Sequence, residues 1–231
     1  MKPYRLLVFV LTSLIFFSCT KEEKELSQQD LETIAYFKDI ALGFEFGATE
    51  KITRKWMGPM KVFVAGNPGT VMTTELDKII AEIESLVTDG FDIQLVTDSL
   101  QANYTLFIGP AKGYELRYPF VSSYTPGNWG LFFVNWTSQN YINSGHMYVD
   151  NARADATAQK HLLREEFTQS LGLARDADTY PESIFQASWT TTTTYADIDR
   201  RLISLLYHPK VVPGMTETEV DLILREILLE N

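Results

Sequence analysis

Glu165-Glu166-Phe167-Thr168-Gln169-Ser170-Leu171-Gly172-Leu173 places two adjacent carboxylates in a stretch whose apolar residues recur at helical spacing. With Leu162 at zero and about 100° per residue, Leu163, Phe167 and Leu171 fall at about 100°, 140° and 180°, which defines a buried arc. Glu166 falls at about 40° on the same scale, inside that arc, where a carboxylate costs free energy unless it is paired or hydrogen-bonded. Glu165 and Gln169, near 300° and 340°, share an adjacent face that two polar side chains one turn apart would ordinarily turn toward solvent. Gly172 is placed to turn the chain out of the helix.

Working outward, the pattern predicts a helix over Ala156–Leu171 preceded by paired strands. Phe91, Ile93 and Leu95 alternate with more polar neighbours, as do Tyr104, Leu106 and Ile108; Leu131–Trp136 and His146–Val149 form a further pair, joined by Ser138–Gly145. Residues 113–130, with Pro119, Pro126 and Gly127, read as irregular. Upstream, Ser27 and Asp30 form a capping signal for a helix that Gly43 ends, Met60–Ala65 is a strand, and Leu76, Ile79, Ile80 and Ile83 give a helix closed by Gly90. Two helices follow the motif, Ala196–Tyr207 and Thr216–Leu229, the second opened by Thr216 and Glu219. The order predicts an α+β fold around one mixed sheet.

Lys2 and Arg5 precede an apolar run from Leu6 to Phe17. At about 12 residues it falls short of the roughly 20 needed to span a bilayer and reads as the core of a signal peptide. It ends at Phe16-Phe17-Ser18-Cys19, which resembles a lipobox, so Cys19 is the expected lipidation site. Cys19 is the sole cysteine, and the exported chain therefore folds without an internal disulfide. Lys21-Glu22-Glu23 behind it resembles an outer-surface export tag. The expected location is extracytoplasmic: anchored to the outer membrane through the N-terminal lipid, with display on the cell surface the further step. A net charge of −10 opposes attraction to phosphate backbones, so nucleic acid is not an expected partner.

From Glu166 to Leu173 the chain resembles the active-site helix of matrixin-type metzincins, whose pattern reads H-E-F-G-H-S-L-G-L-G-H. By position, Glu166 takes the place of the general base, while Glu165, Gln169 and Arg175 stand where that family has its three zinc-binding histidines. Tyr180-Pro181-Glu182-Ser183-Ile184-Phe185 resembles the turn beneath the metal, with Phe185 in the methionine position. Arg164-Glu165-Glu166, Leu171-Gly172-Leu173, Asp176, Ser183-Ile184-Phe185 and Leu206-Tyr207-His208-Pro209 also resemble an uncharacterised bacterial family, the domain of unknown function two-nine-two-seven, from Ile52 to Met215. The resemblance implies a zincin-like fold with a central motif helix and C-terminal helices. It divides the chain into a signal peptide (1–18), a tether and N-terminal helix (19–51), a zincin-like domain (52–215) and a C-terminal helix (216–231).

The substituted ligands decide the chemistry. Gln169 is a weak neutral ligand and a guanidinium at Arg175 repels a dication, so no cofactor is expected. A divalent metal stays open, because Glu165, Glu166, Gln169 and Asp176 would suit calcium or magnesium better than zinc. Arg175 is instead expected to fill the metal position, bridging Glu165 and Glu166. His161 lies one turn before Glu165 and reads as a satisfied or exposed histidine; His146 is a strand residue, and His208 caps its helix. In metzincins the edge strand pairs with extended peptide, and Leu131–Trp136 occupies the corresponding place. Trp129, Trp136, Asp176 and Phe185 are candidate cleft residues, and Tyr148 a further one. Two readings follow: a non-catalytic module that binds a peptide or an envelope protein, and an unconventional metallopeptidase or hydrolase using Glu166 as general base.

Overall fold

Strands buried on both faces need apolar residues on both, and β2 (Met60–Gly66) and β4 (Tyr104–Ile108) have them. Val62 and Leu106 face the larger core, whereas Ala65 and Phe107 face a smaller one. The computed structural model describes residues 24–45 and 50–230. The apolar leader, Cys19 and the Lys21-Glu22-Glu23 tether lie outside the described residues.

The remaining strands are β1 (Lys55–Trp56), β3 (Ile93–Val96), β5 (Gly130–Trp136) and β6 (Tyr141–Val149). β3, β2, β4 and β6 are neighbours in that order and all run parallel, and β1 adds a short parallel pairing at Tyr141 and Ile142. β5 pairs antiparallel with β6 alone, from Gly130 opposite Val149, and slips register between Asn135 and Trp136. A helix over Gly69–Leu86 makes the β2-to-β3 crossover, and a short segment with a 3-10 turn (Ser99–Gln101) joins β3 to β4.

Among the described residues six α-helices complete the fold: α1 (Gln28–Ala41), α2 (Gly69–Leu86), α3 (Ala111–Arg117), α4 (Ala156–Gln169), α5 (Asp197–Leu206) and α6 (Glu217–Glu230). The expected α+β arrangement, with a motif helix and C-terminal helices around a mixed sheet, is the one found. Both capping signals form: Ser27 and Asp30 bond reciprocally at the start of α1, and Glu219 accepts from the Thr216 backbone and hydroxyl at 2.8 Å. α1 and α6 join the two ends of the chain, Lys38 pairing with Asp221 at 2.9 Å, and Arg201 of α5 ties to Asp30 at 2.6 Å.

Several expectations are corrected. Residues 113–130 are not wholly irregular, because α3 and a 3-10 turn (Pro119–Ser123) form there and bury Tyr114 and Val121 beneath the sheet. The stretch read as the Ser138–Gly145 connection is mostly strand: β6 begins at Tyr141, and the turn is short, with Asn140 at φ 65°. α2 ends at Leu86, before Gly90. His208 holds the turn after α5 by accepting from the Lys210 amide at 3.2 Å, and burial and the Lys210 charge keep it from carrying a proton, so it is no cationic cap.

Candidate functional site: an acidic cleft

α4 starts where the Asp155 carboxylate accepts from the Thr157 and Ala158 amides, both at 2.9 Å. It ends at Gln169, and the chain turns away at Gly172, whose φ of 115° and close approach to the Arg54 carbonyl leave no room for a Cβ. Between these points the helix is buried nearly all round. Leu163, Phe167 and Leu171 enter the core as the angular spacing predicts. The neighbouring face is not solvated: Glu165 is 13% exposed and Gln169 4%. Loops from three distant segments close over it.

Those loops build a cleft of about 490 Å³. Glu165, Glu166 and Gln169 form its helical wall, the Trp129–Phe132 stretch its strand wall, and Glu45, Asp176, Gln186 and Trp189 its remaining sides. The Glu45 amide donates to the Ala174 carbonyl at 3.1 Å, and Ala177 bonds to Phe185, so the Asp176 loop is pinned on both sides. Asp199, fully buried, accepts from the Ser183 hydroxyl, the Ile184 amide and the Ala196 amide, and Tyr36 of α1 donates to the Ser183 hydroxyl at 2.9 Å. The turn beneath the cleft is thus fixed to α5 and α1.

Within the cleft, the His161 ring nitrogen Nδ1 lies 2.7 Å from the Thr192 carbonyl, which can only accept, so this nitrogen carries the proton. Nε2 then faces Glu165 Oε2 at 3.3 Å. Burial lowers the pKa of His161, while burial, then the charges of Asp176 and Glu45, raise that of Glu165 well above the carboxylate range. A neutral imidazole accepting from a protonated Glu165 satisfies both shifts. Gln169 donates to Asp176 at 2.5 Å, yet burial and the Glu45 charge still push Asp176 up to about 7.

Glu166 is only 9% exposed and, among the described residues, has no side-chain hydrogen bond or ion pair. Its carboxylate rests against Gly130 of β5: a Cβ at Gly130 would come within 2.5 Å of Oε1. Burial, then Glu165, Asp176 and Glu45, raise its pKa well above the ordinary range.

β5 borders the cleft as an edge strand. The Asp150 amide donates to the Trp129 carbonyl at 2.8 Å, which marks that pair as hydrogen-bonded. By the alternation of an antiparallel ladder, Leu131 and Phe133 bond toward β6, while Gly130, Phe132 and Val134 turn their backbone groups away. Among the described residues, no backbone bond joins these three to any other element.

The predicted site residues divide clearly. Glu165, Glu166, Gln169, Asp176 and Trp129 converge on the cleft. Arg175 does not bridge the two glutamates: it lies partly exposed beyond Gly172 and makes no ion pair among the described residues. Phe185 is fully buried in the core, and its neighbour Gln186 reaches the cleft instead. Trp136, past the register slip, stacks on Phe44 at 5.1 Å with Arg54 over its ring at 4.5 Å, at the far end of β5. Tyr148 faces the opposite side of the sheet, stacked on Tyr114. Glu45, Gln186, Trp189 and Gly130 were not read from the sequence, because nothing periodic marks a loop residue that only tertiary folding brings to a helix.

The donors do not fit a metal ion. Among the described residues, no group of three or more His, Cys, Asp or Glu side chains is placed to hold one. Glu165 is engaged with His161 and Gln169 with Asp176, and the third position is the cation Arg175.

The chain belongs to the family described as "Protein of unknown function (DUF2927)", which it matches over residues 30–226, a span that takes in most of α1 and most of α6. No curated protein matches it. Among solved structures it is similar to the one titled "Structure of myroilysin", with a TM-score of 0.40 and 11% identity over 64% of this chain and 92% of that chain.

Proposed function

We propose that this is a lipid-anchored envelope protein whose cleft holds an extended peptide without cutting it. The observation that carries this reading is the edge of β5, which no strand pairs with among the described residues. Gly130, Phe132 and Val134 offer outward backbone donors and acceptors along the cleft, the arrangement by which an extended segment adds to a sheet. The absence of a metal-binding donor set among the described residues favours binding over hydrolysis. Hydrolysis with Glu166 as general base has less support, because burial and the neighbouring carboxyl groups raise its pKa and so favour the protonated form over the base.

The anchor rests on the leader and Cys19. Palmitate labelling of wild type and Cys19→Ala tests it, and equal labelling would remove it. Outer-membrane location with surface display is tested by replacing Lys21, Glu22 and Glu23 with alanine and following protease access on intact cells. Peptide binding is tested by amide exchange with a pool of unstructured hexapeptides. Slowed exchange at Gly130, Phe132 and Val134, with the peptides recovered intact, is expected. Unchanged exchange at all three would sink the reading.

A further inference from the structure

We propose that the acidic cleft is a receptor for a guanidinium group, the arginine side chain of a peptide held on β5; this deepens the peptide-binding reading and rests on it. Four carboxyl side chains, Glu45, Glu165, Glu166 and Asp176, line the cleft. Glu166, nine-tenths buried, has no partner among the described residues. The Gln186 oxygen Oε1 is shielded from solvent and has no donor among the described residues. Glu45 and Asp176 complete the acceptors, and the Gln169 amide is already directed to Asp176. Of the cations near the cleft, Arg164 bonds to Glu75 and Glu82 of α2, Arg54 lies over Trp136, and Arg175, unpaired among the described residues, does not line the cleft.

Such a site calls for a ligand that brings both positive charge and several N–H donors. A small metal ion does not meet the geometry, since no three carboxylates come together on one point among the described residues. A guanidinium is planar, carries five N–H groups and can bridge carboxylates that share no common centre. Trp129 and Trp189, 39% and 59% exposed and edge-to-face at 6.0 Å, stand at the cleft wall with ring surface free for a cation. The volume of about 490 Å³ suits a side chain entering from the strand edge.

The test is calorimetric titration of the full chain in detergent with three peptides identical except for arginine, lysine or citrulline at one position, and with agmatine as a guanidinium lacking a peptide backbone. Citrulline keeps the shape and loses the charge. The arginine peptide is expected to bind at least about tenfold tighter than the citrulline one and tighter than the lysine one, and Glu166→Gln to erase that margin. Trp189→Ala, a change at an exposed wall residue, is expected to narrow the margin too, and serves if Glu166→Gln fails to fold. Equal affinity for arginine and citrulline peptides would overturn the guanidinium receptor while leaving peptide binding intact. Agmatine binding with no peptide bound would uphold the receptor and remove the peptide reading. Stoichiometric calcium binding that blocks agmatine would overturn the receptor in favour of a metal.

Discussion

Two faces of α4 carry buried charge, and they are treated in opposite ways. On one, Arg164 is 2% exposed, bonds to Glu82 at 2.6 Å and Glu75 at 3.2 Å, and lies 4.4 Å from the Tyr195 ring centre. On the other, Glu165 and Glu166 meet Glu45 and Asp176 and, among the described residues, no cation. The first face joins two helices through compensated charge. The second holds uncompensated acid in a cleft, at a cost to stability that only a ligand or protons can relieve.

The comparison breaks first at Arg164. Arg164→Ala leaves buried Glu75 in the α2–α4 interface with only Lys78, at 3.6 Å, as a cation among the described residues, and chemical denaturation is expected to register a loss of about 3–5 kcal/mol. A loss comparable to that of a surface ion pair would show that the two faces are not energetically distinct.

Glu166→Gln is expected to act in the opposite direction. It removes a buried charge that has no partner, and at pH 8 should stabilise by about 1–3 kcal/mol. The sign follows from linkage: a carboxyl whose folded pKa is raised supports the folded state fully below its unfolded value, and that support is lost as pH climbs through the folded value. The gain should therefore vanish in acid. A gain that is constant with pH would point to packing rather than charge.

Asp176 sharpens the comparison by its window. Its pKa is about 7 in the folded chain against an ordinary 3.8, so stability contributed here is complete below about pH 3.8 and is lost as pH rises through about 7. Denaturation across that range is expected to show a flatter profile for Asp176→Asn than for wild type. Parallel profiles would place the titration elsewhere.

The smallest effect is expected at Arg175. Partly exposed and unpaired among the described residues, it should cost less than about 1 kcal/mol on replacement by alanine. A loss as large as that of Arg164→Ala would restore it as the substitute for a metal.

What could be read from sequence was local. The Ser27 and Thr216 caps, the Gly172 turn and the placing of Glu166 in an apolar arc need only neighbours a turn or two away, and all are present. α3 was hidden because it begins after Pro110, contains Gly113 and spans only seven residues. The first half of β6 was hidden because Asn143, Ser144 and Gly145 have the composition of a turn, although pairing with β5 holds them extended. The cleft itself was half legible. Periodicity could put Glu165 and Gln169 together, but their burial depends on Glu45, Gln186 and Trp189, and helix geometry carries no information about such distant loops.

The joining of α1 to α5 and α6 bears on the order in which the molecule can be built. Tyr36 reaches Ser183, Lys38 reaches Asp221, and Thr53 bonds to Met215, so residues near the start of the described chain wait for partners near its end. Contacts so distant in sequence, on a mostly parallel sheet, slow the search for the native state. Until α6 is made, α1 lacks its Asp221 partner and its seat stays unfinished.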